Sequence, residues 1–152
     1  ISQLQTVAYL AWQNGKEKAL RRIKIFDHYF NVLDTQKKIL NHCGAGKTYL
    51  MIDAQNRLYS CVWDANDPSS SIGKDTTFNS QPEANQLKSL IELNNCNACW
   101  AKYLCGGGCM YINQIHSNGN KHKKSSLFCE RTRSLISTAI LYYKIARSEQ
   151  SQ

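Results

Sequence analysis

The sequence predicts a small α+β domain, in which a β-hairpin and irregular cysteine-rich loops are flanked by N- and C-terminal helices. Three observations predict it. Apolar residues recur at three- and four-residue steps near both ends of the chain. The period shortens to that of a strand after Thr48. Between these regions lies a stretch dense in cysteine and glycine that matches neither period.

Residues 1–42 read as helical. Leu20, Ile23, Phe26, Phe30 and Leu33 form one apolar stripe, and Asn14-Gly15 marks a break between two helices. His28 is read as a surface or packing histidine. Thr48–Asp53 and Arg57–Ser60 are β-prone, and Ala54-Gln55-Asn56 supplies the turn, with Asn56 able to take a positive φ. The hairpin puts Cys61 at the end of its return strand. Asp64–Gln81 reads as a polar loop with room for a short strand near Ile72. Glu83–Leu93 reads as a helix, with Pro82 at its start and Leu87, Leu90 and Ile91 on its apolar side. Residues 96–109 are assigned to a site rather than to an element, and Ser117-Asn118-Gly119-Asn120 to a turn. The last helix runs from about Leu127 to Arg147, with Leu135, Ile136, Ala139, Ile140 and Tyr143 as its stripe. The tail 148–152 is expected to fray.

The chain has 152 residues, enough for one domain with an appendage, and a hydrophobic fraction of 42%. No run of about 18 apolar residues exists, so no membrane span is predicted. Nor is there a secretory h-region; with its reduced-cysteine chemistry the chain is expected to be cytoplasmic. The start at Ile1, without Met, suggests a piece of a longer protein. The formal net charge is +8, which alone could suit nucleic acid. The basic residues are scattered, however, no aromatic nucleic-acid motif accompanies them, and metal-bound thiolates would offset much of the excess. Nucleic acid is therefore not expected as a partner.

The seven cysteines carry the chemistry. They are Cys43, Cys61, Cys96, Cys99, Cys105, Cys109 and Cys129. Four lie in the pattern Cys96-x2-Cys99-x5-Cys105-x3-Cys109, with Gly106-Gly107-Gly108 between the last two. Two intervening residues let a pair of thiolates turn onto one metal centre. Glycines let the backbone pass close to a bulky group and point N–H groups at it. Three readings stand. A disulfide scaffold leaves one thiol over. Two zinc sites need eight ligands, which seven cysteines and one of His42, His116 or His122 could supply. Two iron–sulfur clusters are the third, with Cys109 reaching across to the second cluster as the last cysteine does in compact two-cluster ferredoxins.

The ordered set Cys43-x12-Asn56-x4-Cys61, then Cys96-x2-Cys99-x5-Cys105-x3-Cys109, then Cys129 resembles the seven-cysteine SPASM domain. That domain lies at the C-terminus of many radical SAM enzymes that modify peptides and proteins. The local text is similar too: Cys43-Gly44-Ala45-Gly46, Tyr49-Leu50-Met51-Ile52-Asp53, Leu58-Tyr59-Ser60-Cys61 and Tyr103-Leu104-Cys105-Gly106-Gly107-Gly108-Cys109. The resemblance runs from about residue 43 to 145. The family usually has glycine where Asn56 stands, and Asn is the next best residue for a positive φ.

The resemblance implies two [4Fe–4S] clusters within the α+β unit. Auxiliary cluster I would use Cys43, Cys61 and Cys109, and auxiliary cluster II Cys96, Cys99, Cys105 and Cys129. Cluster I then has three protein thiolates, since the eighth cysteine of some relatives is absent; His42, beside Cys43, is given a structural role. Residues 1–42 would be the helical end of a radical SAM core or a bridge from it, and 43–147 the SPASM domain. The core, with its CxxxCxxC motif, S-adenosylmethionine and a third [4Fe–4S] cluster, would lie elsewhere in the parent chain, so these residues alone are not expected to be active. The implied function is electron transfer and substrate positioning in an oxidoreductase-type maturase of ribosomally made peptides or proteins. Its partners would be the peptide substrate and an electron donor such as flavodoxin or ferredoxin. No catalytic residue is assigned. A sulfatase-maturing enzyme is the nearest rival, although such relatives carry an acidic residue directly after the cysteine at position 61, where Val62 stands here. An enzyme that crosslinks two side chains of a peptide is also in the class. Outside it stand a ferredoxin-like carrier and a zinc-stabilised binding module. Gly106–Gly108 and Trp100 are expected close to the clusters, with Trp100 and Tyr103 chiefly packing residues.

Overall fold

The computed structural model describes residues 2–79 and 88–150. It is an α+β fold with six α-helices and one four-stranded antiparallel sheet among the described residues. The chain forms two compact units. One comprises Ile1–Ile39, Trp100–Cys105 and Ser126–Gln152, and the other Leu40–Cys99 and Gly106–Ser125.

The first unit is helical. Helix α1 spans Ser2–Arg21 and α2 spans Lys24–Thr35. The predicted break falls at Gly15-Lys16, where the backbone leaves helical geometry and Lys16 takes φ 52°. The helical reading of 36–42 does not hold. Gln36 adopts a left-handed cap with φ 52° and its N–H returns to the Leu33 carbonyl, which ends α2. The chain beyond is tied by the Ile39 N–H to the Tyr103 carbonyl at 2.8 Å. Tyr103 belongs to a single helical turn, α4, Lys102–Cys105. The long α6 spans Ser126–Gln150, so it continues through residues expected to fray. Helices α1, α2 and α6 pack on one another and α4 packs on α6. Ala8, Leu20, Phe26, Phe30, Leu135, Ile136 and Ala139 fill the core of this unit, in line with the predicted stripes.

Half-buried charges tie the same helices together. Arg21 meets Glu17, Asp27 and Asp34 at 2.8, 3.2 and 2.6 Å, and Arg147 meets Glu17 and Asp34 at 2.9 and 2.7 Å. Burial raises the pKa of Asp34, but hydrogen bonds from Arg147, Arg21 and Tyr143 outweigh it and hold the carboxyl at about 2. The folded value lies below the unfolded one, near 4. The unfolded state therefore binds more protons between these values, and stability falls as pH drops from about 4 to about 2. The loss should be on the order of 1 kcal/mol, because the carboxylate is 34% exposed and solvent screens it. Thermal melts followed by helical circular dichroism across this range should show it, and Asp34→Asn should reduce the pH dependence without abolishing it, since Asp53 is also held at about 2.

The second unit holds the sheet. Strands β1 (Met51–Ile52), β2 (Arg57–Tyr59), β3 (Gly73–Lys74) and β4 (Thr77–Phe78) form a meander in sequence order. The hairpin pairs Met51 with Tyr59 and Ile52 with Leu58. Asn56 takes φ 60°, and the Asp53 carboxylate accepts from the N–H groups of Gln55 and Arg57, both at 2.9 Å. The possible strand near Ile72 is β3; its partner β4 lies within the region read as a polar loop. Helix α3, Leu90–Leu93, opens with a capping box between Ser89 and Glu92. The expectation for Glu83–Leu87, with Pro82, lies outside the described residues. Helix α5, Met110–His116, starts directly after Cys109. Asn118 and Gly119 take φ 52° and 87° in the predicted turn. No helix among the described residues is long and apolar enough to cross a membrane.

Candidate metal centre

Each of the seven cysteines is a thiol outside any disulfide. Five of them, Cys43, Cys61, Cys96, Cys99 and Cys109, belong to the second unit. Cys105 on α4 and Cys129 on α6 belong to the first.

Cys43, Cys61 and Cys109 come from three separate segments. After Cys43 the chain folds tightly, and the Gly44 carbonyl accepts from the N–H groups of Lys47, Thr48 and Tyr49 at 2.9, 2.8 and 3.2 Å. Gly46 within this turn has φ 69° and lies so close to Ser60 that a Cβ would come within 3.1 Å of it. The turn after Cys43 is thereby set against the residue before Cys61. Cys61 leaves β2 in extended conformation and begins a 3-10 turn, Val62–Asn66. Cys109 stands at the N-terminus of α5, also extended.

Cys43, Cys61 and Cys109 all lie within electrostatic reach of the Tyr49 hydroxyl. Burial pushes the Tyr49 hydroxyl up, and negative charge on Cys43, Cys61 and Cys109 pushes it further. Burial also pushes the Cys61 thiol up, opposed by the Trp63 N–H that donates to its sulfur and reinforced by Asp64, Cys109 and Cys43. Burial of the Cys61 thiol disfavours its thiolate unless a cation shares the charge.

The glycine run is built for close approach. Gly106, Gly107 and Gly108 all take left-handed backbone, with φ 71°, 90° and 82°. A Cβ on Gly107 would lie 2.5 Å from the Leu90 carbonyl carbon and 2.7 Å from the Ile91 nitrogen, so the run lies against the start of α3. Asn94, 1% exposed, donates from Nδ2 to the Gly107 carbonyl at 2.6 Å, while its Oδ1 is buried without a partner among the described residues. Cys96 and Cys99 form a tight turn, with the Cys99 N–H on the Cys96 carbonyl at 2.9 Å. In the first unit, burial together with Cys105 pushes the Tyr29 hydroxyl up to about 12.

No protein-family model, curated protein or solved structure matches this chain. The site is therefore read from its own donors. Among the described residues no three His, Cys, Asp or Glu side chains are grouped so as to hold a single metal ion. Thiolates on a polynuclear cluster sit on its separate irons and stand further apart than the ligands of one ion. Seven thiols outside any disulfide suit a thiophilic metal, and Cys43, Cys61 and Cys109 are half-buried. The thiol donors are of the kind that an iron–sulfur cluster takes.

Several expectations about the surroundings change. Trp100 and Tyr103 are exposed, at 57% and 39%, so neither is a packing residue; Tyr103 meets the ammonium groups of Lys38 and Lys102 at 5.0 and 5.1 Å instead. Residues 102–105 form a helical turn inside the stretch assigned wholly to a site. His28 is exposed and meets Tyr29 edge-on, as a surface histidine would. Sequence reasoning missed Asn94, Asp64 and Lys121. The Lys121 ammonium lies 3.0 Å from the carboxylate of Asp64, whose side chain is 2% exposed. Nothing local signals a pair 57 residues apart.

Proposed function

We propose that this chain is the auxiliary iron–sulfur portion of a radical SAM maturase acting on a ribosomally made peptide or protein. What supports the proposal is that Cys43, Cys61 and Cys109 come from three segments of one unit, with the turn after Cys43 set against Ser60 and all three sulfurs within electrostatic reach of Tyr49. These are the three thiols that the resemblance to the SPASM domain assigns to one cluster. Cys96, Cys99, Cys105 and Cys129 are the proposed ligands of the other.

When bound, such a cluster supplies reversible one-electron chemistry. The chain's own residues hold and tune it. The three thiolates would hold it, and the backbone N–H of Trp63 would lower the electron density on the Cys61 sulfur. Exposed Trp63 and half-buried Tyr111, stacked with ring centres 5.9 Å apart, cover the segments just after Cys61 and Cys109. In the same reading the radical SAM core, its S-adenosylmethionine and its own cluster belong to the rest of the parent protein, which also meets the peptide and an external electron donor.

Anaerobic reconstitution with iron and sulfide tests this directly. The chain should turn brown, with a broad sulfide-to-iron absorption that dithionite bleaches. A colourless protein that takes up zinc in preference would support a zinc-stabilised module instead.

A further inference from the structure

The geometry points to Asp64, Lys121 and Asn113 as a brace that positions Cys61 against Cys109 and fixes the charge beside them. The inference rests on the proposed iron–sulfur reading and deepens it by naming residues that act through the ligands.

The brace is a continuous path through the second unit. The Asp64 N–H donates to the Cys61 carbonyl at 3.1 Å, one 3-10 turn after the cysteine. The Asp64 carboxylate accepts from Lys121 Nζ at 3.0 Å and from the Ser60 hydroxyl at 3.4 Å. The Lys121 carbonyl accepts from Asn113 Nδ2 at 3.1 Å, and the Asn113 N–H donates to the Cys109 carbonyl at 3.0 Å. Asn113, 1% exposed, also accepts the Ser125 N–H on Oδ1 at 3.0 Å, which pins the loop that carries Lys121. Each cysteine is thus one turn from a buried polar side chain, and Lys121 joins the two. The stacked rings of Trp63 and Tyr111 tie the same two segments a second time.

A carboxylate buried this far is costly unless a cation accompanies it. A surface tie between loops would need neither such burial nor such a charge. Beside a redox centre, a fixed ion pair also acts on the potential. Removing the cation would leave an uncompensated anion that disfavours adding an electron. Removing the anion would leave a cation that favours it.

The test uses the 152-residue chain, reconstituted anaerobically and titrated redox-potentiometrically with EPR detection. Lys121→Met should shift the midpoint of one cluster to more negative potential, and Asp64→Asn should shift the same cluster to more positive potential. Lys121→Arg should stay near wild type, and the double variant Asp64→Asn/Lys121→Met should fall between the single ones. A merely structural tie would loosen the site in both single variants and move them the same way. Shifts of one sign in both, or no shift in either, overturn the brace. Should Lys121→Met fail to load iron, Asp64→Asn decides alone: an upward shift supports the brace, and an unchanged or downward one overturns it. A wild-type chain that takes up no iron overturns the iron–sulfur reading and the brace with it. A loaded wild type with unmoved variants overturns the brace only.

Discussion

Gly107→Ala should destabilise the second unit by roughly 2–5 kcal/mol, the sum of a left-handed backbone forced on a residue with a side chain and a methyl driven into packed backbone. Gly107 has φ 90°, where only glycine is at ease. The new Cβ would meet the Leu90 carbonyl carbon and the Ile91 nitrogen, atoms of α3 that no rotamer change can move. The Asn94 hydrogen bond to the Gly107 carbonyl would be strained as well. Gly119 is the natural control. It has a similar φ of 87°, but a Cβ there meets nothing within 4 Å. Gly119→Ala should therefore cost only the backbone part, about 1 kcal/mol. Urea unfolding of both variants checks this, and equal losses would show that the contact with α3 does not constrain the glycine run.

Cys109→Ala should abolish one of two clusters and leave the other, so that iron per chain falls by about half. Cys43→Ala and Cys61→Ala should remove the same cluster, because the proposed assignment gives all three thiols to it. Cys99→Ala should remove the other, leaving a distinct EPR spectrum. Iron analysis with EPR on each reconstituted variant separates these outcomes. Full iron content in Cys109→Ala would break the ligand assignment.

The sequence was informative where chemistry is local. Asn56 betrays the hairpin because few residues tolerate a positive φ, and Asn14-Gly15 locates the break in α1 because glycine makes the departure cheap. The apolar stripes of α2 and α6 are legible because burial of one face repeats with the helical period. The end of α2 was not legible, since Gln36 carries no usual stop signal and its left-handed cap is set by the chain's turn toward Tyr103. Strand β4 has two residues and exists through its pairing with β3, so no periodicity announces it. The order of the cysteines suggested a grouping, but the close approach of Gly46 to Ser60 and the Asp64–Lys121 pair link segments distant in sequence and leave no local signal. Trp100 misled for a related reason. Large aromatic residues are usually buried, and only the fold reveals that this one faces solvent.

Iron and acid-labile sulfide, measured per chain after anaerobic reconstitution and desalting, test the central claim most directly. Two [4Fe–4S] clusters predict about eight of each per chain. Neither element retained, with the thiols still titrating as free sulfhydryls, would contradict it.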